Sequence, residues 1–174
     1  GEENVALYEP VTIDVESRQI TRVRYEPWPE TSMMDAGQWN LRWWNANGST
    51  VYCLYVERGE KTLRFLEEDP VSGQVREILS ESGNSYRESN LDYGGIPNVY
   101  VYERNGDIIW FSERDGYGHL YRYDRNGTLK NQVTSGAWVV RTLLYVDEES
   151  DWIYFTAGGR EPGRDPYYRH LYRV

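Results

Sequence analysis

The chain is 174 residues long, with 19 Lys and Arg against 28 Asp and Glu, giving a formal net charge of −9. That length suits one domain, and the charge excludes a nucleic-acid binder working through a basic face. Mean hydropathy is −0.77, and no apolar run approaches the roughly 20 residues of a membrane helix.

One cysteine, Cys53, excludes an internal disulfide. Aromatic residues make up 15% of the chain, 16 of them Tyr, which favours pleated, half-buried surfaces over a helical bundle. No secretory signal pattern opens the sequence at Gly1. In chain order, residues 11–15 and 19–25 predict two short strands, within a half-blade and linker over 5–38. Strands at 39–44, 50–57, 61–68 and 74–79 follow, forming a blade over 39–80. A second set at 99–103, 107–113, 118–124 and 128–134 forms a blade over 97–135. Strands at 139–146, 151–157 and 168–174 form an incomplete blade over 137–174. Asn47-Gly48, Asn105-Gly106, Asp115-Gly116 and Asn126-Gly127 mark turns, and such dipeptides favour type I′ hairpins with positive φ at both central residues.

The chain repeats itself. His119-Leu120-Tyr121-Arg122 recurs as His170-Leu171-Tyr172-Arg173, and Ile109-Trp110-Phe111-Ser112 is matched by Ile153-Tyr154-Phe155-Thr156. The loop 158–166 absorbs the extra length of the later copy. The second strand of each unit (51–56, 108–111, 152–155) is apolar on both faces, whereas the third, as in Leu63-Arg64-Phe65 and Tyr121-Arg122-Tyr123, alternates better. Dry inner strands and wetter outer ones predict an all-β fold, a partial, open β-propeller of four-stranded antiparallel meander blades. A β-sandwich has similar strand spacing and is the rival. These blades do not suffice for a closed ring, so the chain is expected to be a piece of a larger protein. An open propeller bares an apolar flank and a strand edge, so self-association is expected. Donation of the 11–25 half-blade to the last blade, within the chain or between chains, is one route; flank-to-flank pairing is another.

Catalytic chemistry is not expected in this chain. Gly83-Asn84-Ser85-Tyr86-Arg87 lacks the second glycine and the helix of a nucleophile elbow. His119 and His170 occupy equivalent repeat positions, which predicts structural roles, and Cys53 reads as a packed thiol. The acidic clusters Glu57, Glu60, Glu67, Glu68, Asp69 and Asp147, Glu148, Glu149, Asp151 have no metal-loop spacing and read as solvated loops. Asn47-Gly48-Ser49 and Asn126-Gly127-Thr128 match the glycosylation pattern, though hairpin turns already account for them. No metal ligand set and no cofactor is expected.

Residues 112–121, reading SERDGYGHLY, resemble a strand-turn-strand segment of the propellers of the dipeptidyl peptidase IV family. Residues 133–140 resemble that family's LTxGxWxV segment, 151–157 and 170–174 its next blade, and 69–75 its DPxTGxV hairpin. The resemblance runs from about residue 39 to the end and, more loosely, over 5–38. It implies the later propeller blades of a serine exopeptidase that removes N-terminal dipeptides, preferring Pro or Ala second. In that family an N-terminal eight-bladed propeller accompanies an α/β-hydrolase domain carrying the Ser-Asp-His triad, and no such domain is present here. Nor does any segment match the family's glutamate pair for the substrate amine. The implied partners are a peptide substrate and the protein's own hydrolase domain, and the implied location is periplasmic or extracellular. By the same resemblance Tyr86 and Arg87 are candidates for lining the substrate channel, with an ordinary blade-edge pair as the alternative. A stand-alone carbohydrate- or protein-binding module using Trp28, Trp39 and Trp138 is the second functional reading.

Overall fold

The computed structural model describes residues 7–29, 41–88 and 97–174. Among them no helix forms. The chain divides into two compact units, Gly1–Arg87 and Glu88–Val174.

In the first unit, β1 (Leu7–Tyr8) pairs antiparallel with β4 (Trp28–Pro29), and β2 (Val11–Ile13) pairs with β3 (Ile20–Arg22). Next comes a four-stranded meander of β5 (Arg42–Trp44), β6 (Val51–Val56), β7 (Thr62–Glu68) and β8 (Val75–Ser82). These four strands form one antiparallel sheet, and residues 39 and 40 of the expected first strand lie outside the described residues. β6 is apolar on both faces and almost wholly buried. Trp43, Tyr52 and Phe65 stack across β5, β6 and β7, at ring separations of 5.5 to 6.2 Å. Cys53 is fully buried, and burial pushes its thiol well above the usual range, so it packs rather than reacts.

The second unit holds two sheets. One is the meander β9 (Val99–Val101), β10 (Ile108–Ser112), β11 (His119–Tyr123) and β12 (Leu129–Gln132). The other has three strands, β13 (Val139–Asp147), β14 (Trp152–Gly158) and β15 (His170–Arg173). They share one core: Ile109, Phe111 and Leu120 from the first meet Val140, Val146, Ile153, Phe155 and Ala157 from the second. The two sheets therefore stack face to face, as successive propeller blades do.

Four sequence expectations need correction. The turns are not type I′: Asn47, Asn105, Asp115 and Asn126 all keep negative φ, and only the following glycine is left-handed. At 102–107 the Gly106 amide donates to the Tyr102 carbonyl at 2.8 Å, and the Asn105 side chain accepts from the Asp107 amide at 2.9 Å. The side chain thus supplies part of the turn, so only Gly106, at φ +75°, takes the left-handed state.

The dry-to-wet gradient also falls later than expected. β11 is nearly as buried as β10, and the step to solvent comes at β12, all four of whose residues are exposed. In the last sheet β14 is apolar but not buried on both faces. Ile153, Phe155 and Ala157 enter the core, while Trp152 on the opposite face is 38% exposed.

Finally, within the chain the 11–25 half-blade does not complete the last sheet. β2 and β3 pair with each other, and the hairpin docks on the β7–β8 turn. The Arg24 amide donates to the Gly73 carbonyl at 2.7 Å, and the Thr21 hydroxyl to the Val71 carbonyl at 3.2 Å. A Cβ at Gly73, whose φ is +73°, would stand 2.1 Å from the Arg22 carbonyl oxygen. Glycine there permits the close approach.

Candidate functional site

The chain leaves β8 at Ser82 and turns back along the β6–β7 connection. The Gly83 amide donates to the Lys61 carbonyl at 2.9 Å, and the Arg87 amide to the Glu60 carbonyl at 2.7 Å. The Arg87 guanidinium folds back as well. Its Nη2 donates to the Ser82 carbonyl at 3.0 Å, and its Nη1 lies 3.7 Å from a Glu81 carboxylate oxygen. A Cβ at Gly83 would sit 2.1 Å from Arg87 Nη2, so the glycine makes room for the cation. Arg87 therefore secures its own segment, and Tyr86 beside it is 47% exposed. Ser85 lies in the bend after β8.

A second cluster lies on β7 of the same unit. Arg64 Nη1 donates to Tyr25 Oη and to Glu26 Oε1, both at 2.9 Å, and its Nη2 pairs with Glu57. Tyr25 meets Tyr55 edge-on at 5.4 Å. Burial, reinforced by Glu26, pushes the Tyr55 phenol up to about 12. The cluster ties the stretch after β3 to the blade. Glu68 corrects the reading of the acidic runs as solvated loops. It is 2% exposed and ion-paired with Arg42 at 2.7 Å, and burial pushes its carboxyl above the ordinary range despite that cation.

In the second unit the third strand again carries an arginine that gathers carboxylates. Arg122 Nε donates to Asp107 at 2.9 Å and its Nη1 to Asp151 at 3.0 Å, while Lys130 also reaches Asp107, at 2.7 Å. Arg104 joins Asp151 at 2.7 Å. Glu148 accepts from the Tyr100 hydroxyl at 2.9 Å and from the backbone amides of Glu103 at 2.7 Å and Arg104 at 3.2 Å. These bonds staple the β13–β14 turn to the β9–β10 turn, so this acidic run also is structural. Burial works against the charge on Asp107, yet hydrogen bonds from Lys130 and Arg122 hold its carboxyl below the ordinary range. The matching positions of Arg64 and Arg122 after Leu63 and Tyr121 are the sequence signal that would have found both clusters.

His119 is fully buried and completely bonded. Its Nε2 lies 2.9 Å from the Gly136 carbonyl, which only accepts, so the ring proton sits on Nε2. Nδ1 then accepts from the Thr134 hydroxyl at 3.0 Å, and that hydroxyl accepts from the Leu120 amide at 3.0 Å. Trp138 closes the motif, edge-on to His119 at 4.8 Å and stacked on Phe155 at 6.1 Å. The SERDGYGHLY stretch and the tryptophan turn are thus one packed device, and His119 is structural as expected. Trp138, also covered by Arg160 at 5.1 Å, is not a free binding platform. The Trp39 residue and the Trp28 side chain lie outside the described residues. Among the described residues, no group of His, Cys, Asp and Glu is arranged to hold a metal, and no helix is long and apolar enough to cross a membrane.

Antiparallel meander sheets, two of them four-stranded and one of these stacked on the three-stranded sheet that follows it, define the class: blades of a partial, open β-propeller. The comparisons with known proteins agree with it. The family model described as the dipeptidyl peptidase IV N-terminal region matches residues 2–174. A dipeptidyl peptidase 4 of Arthroderma otae is 33% identical over 147 residues, covering 83% of this chain and 18% of that protein. A probable dipeptidyl peptidase 4 of Aspergillus flavus is 20% identical over 163 residues, covering 93% of this chain and 20% of its own length. The crystal structure of Porphyromonas gingivalis dipeptidyl peptidase 4 superposes with a TM-score of 0.71 at 20% identity, covering 95% of this chain and 21% of that one. The chain belongs to the dipeptidyl peptidase IV family, within its N-terminal region, and spans about a fifth of the length of these relatives.

Proposed function

We propose that this chain is the later part of the propeller of a dipeptidyl peptidase IV-type serine exopeptidase. In this reading it gates and shapes peptide access to a Ser-Asp-His triad on an α/β-hydrolase domain outside the chain. The observation that carries it is the family match over residues 2–174, joined to a structure whose buried polar groups are used in holding sheets together. Tyr86 is the channel contact and Arg87 its positioning residue. Tyr86 is half exposed and would stack on an extended peptide, and the Arg87 guanidinium fixes the backbone beside it. The parent enzyme is periplasmic or extracellular. The rival binding-module reading loses Trp138 to the packed histidine motif.

The test is made in the complete protein. Tyr86→Ala is expected to raise KM for peptides longer than the cleaved dipeptide by about 3- to 10-fold, the worth of one aromatic contact. Turnover of a Gly-Pro chromogenic substrate is expected to stay unchanged. Equal loss on both substrates would remove the channel role from Tyr86.

A further inference from the structure

Asparagine followed by glycine is chemically labile, because no side chain on the glycine obstructs attack of its amide nitrogen on the neighbouring carboxamide. The chain holds three such pairs, Asn47-Gly48, Asn105-Gly106 and Asn126-Gly127. All three asparagines are exposed. Their glycines share one backbone state, with φ of +71°, +75° and +82°. Each glycine amide also donates to a carbonyl of its own turn, at 3.1, 2.8 and 3.0 Å in the same order. Access to water and backbone shape therefore do not separate the three turns.

The side chains do separate them. Asn47 Oδ1 accepts from the Ser49 amide at 2.9 Å, and Asn105 Oδ1 from the Asp107 amide at 2.9 Å. In both turns the carboxamide is held by the amide two residues on. In the turn between β11 and β12 that task passes to Asp124. Its Oδ1 accepts from the Asn126 amide at 2.8 Å and from the Thr128 amide at 2.9 Å. Thr128 is the counterpart of Ser49 and Asp107, so the donor that would hold Asn126 is already used. The Asn126 carboxamide has no hydrogen-bond partner among the described residues.

We propose that Asn126 is a site of spontaneous covalent modification in the folded protein, converting to aspartate and isoaspartate ahead of Asn47 and Asn105. The Gly127 amide nitrogen gives its proton to solvent base and attacks Cγ of Asn126. The new N–Cγ bond closes a cyclic imide, the Cγ–Nδ2 bond breaks, and the nitrogen takes up a proton and leaves as ammonia. Water then opens the ring. Attack at Cγ breaks the N–Cγ bond and leaves aspartate in a normal backbone. Attack at the main-chain carbonyl leaves isoaspartate, whose backbone runs through Cβ and Cγ. In sum one water is consumed and one ammonia released, with no change of oxidation state. The isoaspartyl product lengthens the β11–β12 turn by one methylene and sets a new carboxylate beside Asp124. At Asn47 and Asn105 the carboxamide must first leave its turn bond, which slows the same reaction by about 3- to 10-fold. This assignment does not depend on the proposed function.

The experiment ages the folded chain in mildly alkaline buffer beside a second sample held unfolded in guanidinium chloride. Peptide mapping by mass spectrometry follows replacement of NH2 by OH at each of the three asparagines. Isoaspartate is read with an isoaspartyl methyltransferase and a labelled methyl donor. The expected result is conversion at Asn126 about 3- to 10-fold faster than at Asn47 or Asn105 in the folded chain. In guanidinium chloride the three rates should converge, and isoaspartate should be among the products at position 126. Conversion at Asn47 or Asn105 as fast as at Asn126 in the folded chain overturns the proposal. So does the same rate order in the unfolded sample, because flanking sequence then sets it. Aspartate as the sole product at position 126 also overturns it, because the cyclic imide has then not formed.

Discussion

His119 shows how one side chain holds a blade together. Its ring, the Thr134 hydroxyl and the Gly136 carbonyl form a chain of bonds with a single consistent direction. His119→Ala removes a fully buried ring and strands the hydroxyl, so it should destabilise the second unit by about 2–4 kcal/mol, read by urea unfolding. Asp107 is the corresponding ionic position, shared by Arg122 and Lys130. Its folded-state pKa is depressed below the ordinary 3.8, as are those of Asp151 from 3.8 and Glu148 from 4.5. For depressed carboxylates the stabilisation is complete above the ordinary values and is lost as pH falls through the folded ones. The second unit should therefore weaken on acidification below about pH 4, and Asp107→Asn should flatten that dependence. A variant with an unchanged acid profile would show that Asp107 is not part of it.

At the scale of elements, the hairpin β2–β3 depends on the glycine of the β7–β8 turn. Gly73→Ala places a methyl against the Arg22 carbonyl and asks a non-glycine residue for a left-handed φ. It should cost about 1–3 kcal/mol and speed amide exchange at Arg24 while leaving β6 and β7 protected. The strands themselves were legible in the sequence, because turn dipeptides and apolar runs are local signals. The repeated His-Leu-Tyr-Arg placed β11 and β15 correctly for the same reason. Glu68 was not legible: an acidic run looks solvated until the pairing of β5 with β6 brings Arg42 to it. The turn type was missed because Asn105 spends its side chain on the turn instead of adopting positive φ. The half-exposed face of β14 was missed because an apolar run does not record which neighbour covers it. At the candidate site, the sequence pointed to Tyr86 and Arg87 through resemblance, but only the fold shows the Arg87 cation turned back onto the Ser82 carbonyl.

At the scale of the whole molecule, the two units use their ionisable groups for cohesion. Arg64 and Arg122, on matching strands, each collect acidic partners from neighbouring segments, and His119 is spent inside its blade. Under the proposed function such a chain guides a peptide, and bond cleavage falls to the α/β-hydrolase domain. The direct measurement is an assay of the purified 174-residue chain beside the complete protein, on Gly-Pro and Ala-Pro chromogenic dipeptides. Turnover is predicted only for the complete protein, and it should be abolished by a serine-directed inhibitor. Turnover by the chain alone that survives purification and is lost with that inhibitor would contradict the account, as would a complete protein that fails to release dipeptides.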